Sequence, residues 1–318
     1  MGRFDARATV PARGALDMLR WKLVDRLAGR NRTDPGGFVT PRREPDHALL
    51  ASRAASLCWI GHASFLFTLG GVRVLIDPVL GRLGPLGRLA PPGLTRATLP
   101  PVDLVLVTHN HRDHLDPCSI AALSKQAHEH AGAGLRDAPL RFVAPLGNTA
   151  ALAEAGAEHV DELDWWQSLR VGPLEVTLVP ARHWSMRRPW DRNDALWGGF
   201  VVRGPEGTVY HSGDTAMFDG FGAIRARLGP IDWALLPIGS YEPRWFMEPQ
   251  HICPEEAVAA AGALGARRVV AMHWGTFKLT DEPVGEPPER ARAAWRRAGR
   301  DEAALWVLDV GETRPLGA

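Results

Sequence analysis

Residues 108–116 read Thr-His-Asn-His-Arg-Asp-His-Leu-Asp, directly after the apolar run Val102–Val107. Four ligand-type side chains, His109, His111, Asp113 and His114, therefore fall within six positions at the end of a buried strand. Alternation sends the two leading histidines to one side, and the next turn presents Asp113 and His114 to a second point. Imidazole and carboxylate are ligands that zinc, manganese or iron accept. A solvated polar loop can collect histidines by chance, but this spacing after a buried strand has no obvious structural use.

Four ligands do not complete a two-metal site, and the remaining strand ends supply three more. His183 follows the strand-like Leu174–Pro180, Asp214 follows Thr208–His211 in His-Ser-Gly-Asp-Thr, and His273 ends Val269–Met272. Loops beyond buried strands gather at one edge of a sheet. The inventory gives one ion to His109, His111 and His183 and another to Asp113, His114 and His273. The carboxylate of Asp214 bridges them, and both ions keep room for a shared water and for substrate. Asp77, in Leu-Ile-Asp-Pro, is either a turn cap or the carboxylate that orients a ligand histidine. Asp116 invites the same two readings. His62 fits a cleft wall or a core position equally, and His159 and His211 read as structural.

Composition narrows the partners more than the chemistry. The 318 residues are 45% hydrophobic and 23% charged with a net charge of +1, so no basic stripe favours nucleic acid. Nearly all cations are arginine, with lysine only at positions 22, 125 and 278. Three cysteines without a C-x-x-C pair indicate no disulfide framework and fit a reducing, cytoplasmic compartment. No apolar run approaches the ~20 residues of a membrane span, and the N-terminus lacks the apolar core of a secretory signal.

Residues 1–54 read as an arm ahead of a catalytic domain over 55–318. Within the arm, Ala15–Ala28 has helical periodicity, with Leu16, Leu19, Leu23 and Leu27 on one face and Trp21 nearby. Such a helix can dock on the domain, lie at the inner face of a membrane, or pair two copies as a homodimer. From Leu57 onward, short apolar strands appear first as a meander turning at Gly70-Gly71, then in alternation with helices near Cys118–Glu129, Thr149–Ala155 and Pro254–Leu264. That order predicts a sandwich of sheets flanked by helices.

The motifs together resemble a known family. They are Trp59-Ile-Gly-His-Ala-Ser64, the His109–Asp116 run, Glu162-Leu-Asp-Trp-Trp166, His183-Trp184 and Leu196-Trp-Gly-Gly199. Pro237-Ile-Gly-Ser-Tyr-Glu-Pro-Arg-Trp-Phe-Met247, Gln250-His251, Pro254-Glu-Glu-Ala257 and His273-Trp-Gly-Thr-Phe277 complete the set. The chain resembles the metallo-β-lactamase fold superfamily, and within it the N-acylphosphatidylethanolamine-hydrolysing phospholipase D family and its bacterial relatives. The likeness covers about residues 57–280. It implies an α/β fold, an αββα sandwich of two mixed sheets flanked by helices. It also implies two divalent ions, zinc foremost with manganese or iron as alternatives, and cleavage of a phosphodiester. By resemblance His251 is a cleft histidine that contacts phosphate or aids proton transfer, alongside Asp113 and Asp214 as catalytic ligands. The longer N-terminal region of the family's lipid-binding members has no counterpart that can be mapped here.

An anionic lipid substrate needs cations and an apolar wall. Arg182, Arg187, Arg188 and Arg192 surround His183, and Arg244 lies in the aromatic loop with Trp245; Arg188, Arg244, Trp245 and His251 are the expected substrate contacts. The leading expectation is a phospholipase D-type hydrolase of N-acylated or related glycerophospholipids. The competing one is a hydrolase of a lactone, thioester or cyclic phosphate on the same fold. A non-catalytic metal-binding protein fits less well, because the ligand set is complete. Asp214 stands where β-lactam-hydrolysing relatives carry cysteine, which disfavours that substrate.

Overall fold

The computed structural model describes residues 2–132 and 138–317. Fourteen strands form two seven-stranded sheets among the described residues. The strands are β1 (Ser56–Gly61), β2 (Ser64–Leu69), β3 (Val72–Ile76), β4 (Leu104–Leu106), β5 (Arg141–Pro145), β6 (His159–Leu163) and β7 (Ser168–Val171). They continue with β8 (Leu174–Val179), β9 (Gly199–Gly204), β10 (Gly207–His211), β11 (Trp233–Pro237), β12 (Arg268–Met272), β13 (Leu305–Trp306) and β14 (Thr313–Pro315). The first sheet runs β14-β1-β2-β3-β4-β5-β6 and the second β13-β12-β11-β10-β9-β8-β7. Each is antiparallel over part of its width and parallel over the rest, from β3 to β6 and from β10 to β13.

Side-chain alternation explains the layers. In β1, Leu57 and Trp59 point into the core shared with the second sheet, whereas Cys58 and Ile60 point to the opposite face. The same division places Phe65 and Phe67 inside and Leu66 outside. The outer face is covered by helix Pro117–Gly132, through Ile120 and Leu123, and by Leu152 of helix Thr149–Glu154. Helices Gly220–Leu228, Pro254–Leu264 and Glu286–Arg297 contribute Phe221, Ala260, Leu264 and Trp295 to the larger core. The architecture is the expected αββα sandwich.

The Gly70-Gly71 hairpin forms as predicted, with Leu69 opposite Val72 and both glycines at positive φ, 54° and 74°. The predicted strand 102–108 is shorter, Leu104–Leu106, although the Val107 N–H still donates to the Val143 carbonyl of β5 at 3.0 Å. Sequence periodicity does not reveal β6, β7, β13 and β14, nor helices Gly220–Leu228 and Glu286–Arg297.

The N-terminal segment lies against this sandwich. Phe4 is buried in the larger core, and the Arg7 guanidinium holds the Asp164 carboxylate at both oxygens. Helix Ala15–Leu19 continues as a wider π-helical stretch over Arg20–Asp25, and its contact face is not the leucine stripe. Trp21 and Asp25 are the buried residues, while Leu16 and Leu27 remain 82% and 79% exposed. Trp21 packs on Phe246 at 4.8 Å between ring centroids and donates its indole N–H to Asp281 Oδ2 at 2.5 Å. No helix among the described residues is long and apolar enough to cross a membrane.

Candidate metal centre

The three parallel strands β10, β11 and β12 end on one edge of the second sheet, and β3 and β4 end on the facing edge of the first. The loops that leave these ends carry Asp77, the 108–116 run, Asp214, Ser240 and His273. Four non-glycine residues here hold positive φ: His62 (57°), Asp77 (44°), Ser240 (62°) and His273 (61°). Such backbone strain persists only where the surroundings impose it. At His273 they do so closely. Its N–H donates to the His62 carbonyl at 3.0 Å, and a Cβ on Gly239 would lie 2.2 Å from its carbonyl oxygen.

The predicted ligands converge into two groups. His109, His111, His183 and Asp214 present ligand atoms within 4.8 Å of one another, and so do Asp113, His114 and His273 together with His62. Asp214 stands between them: Oδ1 is 3.2 Å from His273 Nε2, and Oδ2 is 3.2 Å from His114 Nε2 and 3.8 Å from His109 Nε2 and His183 Nε2. All seven sequence-predicted ligands are thereby brought together. His62, whose role the sequence left open, joins the second group through Nε2, 3.1 Å from Asp113 Oδ2.

Hydrogen bonds fix which nitrogens face the site. Asp77 Oδ1 accepts the Thr108 N–H at 2.7 Å, and Oδ2 accepts both the Thr108 hydroxyl and His114 Nδ1–H, each at 2.7 Å. Having given its proton to Asp77, Thr108 Oγ1 can only accept from His109 Nδ1–H, at 3.0 Å. His183 Nδ1–H donates to the Gln250 carbonyl at 3.0 Å. His109 and His183 therefore turn a bare Nε2 lone pair inward. His114 turns its Nε2 inward too, although, against burial, Asp214, Asp77 and Asp113 favour the charged ring there until a cation takes the proton's place. Asp77 is the orienting carboxylate, whereas Asp116 is a cap, accepting from the Ser119 N–H and hydroxyl. His211 is structural, held between the Ala63 carbonyl and the Gly213 N–H.

This donor set fits divalent ions. His111 Nδ1 lies 2.9 Å from His109 Nε2 and 3.2 Å from His183 Nε2. At metal–nitrogen bonds of about 2.1 Å, neighbouring ligands about 90–110° apart are about 3.0–3.4 Å from each other. A single proton cannot satisfy that triangle of nitrogens. In addition, His114 Nε2, His273 Nε2 and Asp214 Oδ1 are buried without a hydrogen-bond partner. Burial pushes His111 down to about 4 and His183, His62 and His251 each to about 3, so these rings are neutral near pH 7. Burial opposes charge on His273 as well, yet Asp214 and Asp113 lift it to about 9. The two carboxylates thus draw positive charge to the point where a cation would sit.

The centre opens into a cleft of about 520 Å³. One wall is apolar, made by Met18, Trp21, Met186, Phe246, Met247 and Leu279; Arg13, Arg112, Arg187 and Arg192 also line the cleft, as does His251. His251 Nε2 is 3.9 Å from Asp214 Oδ2, and its Nδ1 is buried without a partner. The other expected substrate contacts, Arg188, Arg244 and Trp245, are not among the residues that line this cleft. Arg188 is exposed and pairs with Glu154 at 3.4 Å. Arg244 pairs with Glu256 at 2.9 Å and donates to the His251 carbonyl at 3.3 Å. Trp245 lies under the Arg20 guanidinium, 4.2 Å from its ring, and it is its neighbours Phe246 and Met247 that reach the cleft.

Comparison with known proteins gives a consistent picture. Residues 72–274 match the family described as beta-lactamase superfamily domain. An uncharacterised protein of Mycobacterium tuberculosis is 39% identical over 294 residues, covering 89% of this chain and 74% of that protein. N-acyl-phosphatidylethanolamine-hydrolyzing phospholipase D 1 of Caenorhabditis elegans is 33% identical over 273 residues, covering 80% of this chain and 74% of that protein. Among solved structures, a possible metal-dependent hydrolase from Veillonella parvula superposes with a TM-score of 0.63 at 16% identity, covering 82% of this chain and 99% of that one.

Proposed function

The chain belongs to the β-lactamase superfamily domain family, as a metal-dependent hydrolase of metallo-β-lactamase fold, and from that premise we propose that it cleaves a phosphodiester of N-acylated or related glycerophospholipids. One observation carries the reading: a two-group ligand cluster opens into a cleft with a long apolar wall and several arginines. The 33% identity to a worm enzyme named for hydrolysing N-acyl-phosphatidylethanolamine supports the same substrate class.

The proposed ligands are His109, His111 and His183 for one ion and Asp113, His114 and His273 for the other, with Asp214 between them. Two divalent ions held there would bring the pKa of a water toward neutrality and offset charge on the phosphoryl oxygens. The chain's own residues set the geometry. Asp77 locks His114 directly and His109 through Thr108, and the Gln250 carbonyl locks His183. His62 fixes the carboxylate of Asp113. His251, neutral and buried beside Asp214, has Nδ1 free of any protein partner and offers an N–H to the leaving alkoxide. The wall of Trp21, Phe246 and Met247 excludes water and accepts an acyl chain.

The exposed leucines of the N-terminal helix adjoin Met18 and Trp21 at this cleft, which supports peripheral contact with a lipid surface. The test is product analysis. Zinc-loaded protein given N-acylphosphatidylethanolamine is expected to release phosphatidic acid and the N-acylethanolamine. Turnover of an acyl-homoserine lactone with the phospholipid and a bis-nitrophenyl phosphate both inert would overturn the reading.

A further inference from the structure

The apolar wall of the cleft is a unit of its own. Trp21, Phe246 and Met247 form a buried cluster apart from the two cores of the sandwich, with Trp245 packed against it. Its halves come from distant parts of the chain, Trp21 from the N-terminal helix and the others from helix Arg244–Met247. Neither segment carries a proposed metal ligand, so the metal centre does not decide how the halves meet.

Asp281 joins them. Its Oδ2 accepts the Trp21 indole N–H at 2.5 Å, yet Asp281 is not among the residues that line the cleft. Its backbone is tied to the other half, since the Asp281 N–H donates to the Glu242 carbonyl at 3.3 Å. The buried carboxylate of the next residue, Glu282, accepts the Ser240 N–H at 2.6 Å and the Glu242 N–H at 3.2 Å. One carboxylate on a fixed backbone therefore fastens the N-terminal helix to the loop that presents Phe246 and Met247. Arg13 adds a second tie, from Nη2 to the Trp245 carbonyl at 2.6 Å.

A cluster of three buried residues has little packing of its own, and units of that kind open locally at low cost. A hydrogen bond to an ionised acceptor is about twice as strong as a neutral one, so this contact weighs heavily in holding the wall closed. Without it the indole N–H is either buried unpaired or turned out to water. Turning it out takes the ring off Phe246, whose centroid is 4.8 Å away. A substrate bound by its reacting group at the ligand cluster meets this wall only with the chain that extends beyond that group.

Building on the phosphodiesterase reading, we propose that Asp281 is a positioning residue that sets chain-length selectivity. It holds Trp21 against Phe246 and so keeps the wall closed on the far methylenes of an acyl chain.

The experiment compares nitrophenyl phosphodiesters bearing a hexyl or a dodecyl chain, beside calorimetric binding of hexylphosphonate and dodecylphosphonate. Burial of part of the added chain is expected to give zinc-loaded wild type a KM about 100-fold lower for the dodecyl diester. Asp281→Ala is expected to cut that ratio about tenfold, through KM of the dodecyl compound with kcat unmoved. Asp281→Asn, whose amide oxygen still accepts the indole N–H, should keep most of it. Trp21→Phe should lose at least as much, and adding Asp281→Ala to it should lose no more, because both remove the same bond. A wild type that does not distinguish the chains, a ratio that survives Asp281→Ala, a loss shared equally by both compounds, or additive losses in the double variant overturns the proposal. If neither diester is turned over, the phosphodiesterase reading fails, and the same comparison made on the phosphonate dissociation constants decides the role of Asp281.

Discussion

Replacing Asp77 by asparagine tests how the site is held. Three donors converge on that buried carboxylate, the Thr108 N–H, the Thr108 hydroxyl and His114 Nδ1–H, each at 2.7 Å. An amide keeps one acceptor oxygen and turns an NH2 toward the other position. Whichever way it is placed, one buried donor loses its acceptor, or His114 takes the tautomer with its proton on Nε2. That proton would occupy the lone pair facing the ligand cluster. An unsatisfied buried donor costs about 1–3 kcal/mol, and each ~1.4 kcal/mol is tenfold. An ion held, as proposed, by Asp113, His114 and His273 would bind about 10–100-fold more weakly in Asp77→Asn. Thr108→Val should weaken the other ion instead, because it removes the acceptor for His109 Nδ1–H. Stepwise zinc titration against a chromophoric chelator reads both affinities. An Asp77→Asn protein that binds both ions as wild type does would refute the argument.

Other consequences are open to direct measurement. The metal-free protein should be most stable near pH 6.5. His111 at about 4 and His183 at about 3 stay neutral where the unfolded chain is protonated, so stability falls as pH drops below 6.5. His273, raised to about 9, contributes stability that is full below 6.5 and lost as pH rises through 9. Urea midpoints of chelated protein across this range would show the maximum, and a monotonic rise with pH would contradict it. Gly239→Ala would push a Cβ to 2.2 Å from the His273 carbonyl, so thermal unfolding should show a loss of about 1–3 kcal/mol together with weaker metal retention. Arg244→Met and Glu256→Gln should lower activity alike and non-additively, because their ion pair positions the His251 backbone. Additive losses would return Arg244 to the substrate.

What the sequence made legible follows from how local each signal is. His109, His111, Asp113 and His114 share one loop, and His183, Asp214 and His273 each follow an apolar strand, so pattern alone assembles the cluster. Asp77 could be named as an orienting residue, but its reach to two histidines depends on a Thr108 hydroxyl that the sequence presents as an ordinary strand end. The cleft arginines were less legible. Residues 182–192 have no periodicity, so nothing indicates that Arg187 and Arg192 turn inward while Arg188 turns to Glu154. Likewise the partner of Arg244, Glu256, lies in the next helix. The hidden elements have physical reasons as well. β6 and β7 are edge strands: β6 does not alternate in burial, and β7, though it alternates, is only four residues long. Helix Glu286–Arg297 packs through Ala291, Ala294 and Trp295, too few large apolar residues to show a stripe. The leucine periodicity of the N-terminal helix is real but faces outward, since Trp21 makes the contact.

In the proposed reading the centre would hold two ions, with Asp214 between the two ligand groups. Metal content per chain, measured by elemental analysis on wild type and Asp214→Asn after identical zinc loading and desalting, tests it most directly. The account predicts two ions per chain in wild type, and one or none in the variant with phosphodiester turnover lost. A wild type that retains a single ion, or a variant that keeps both, would contradict it.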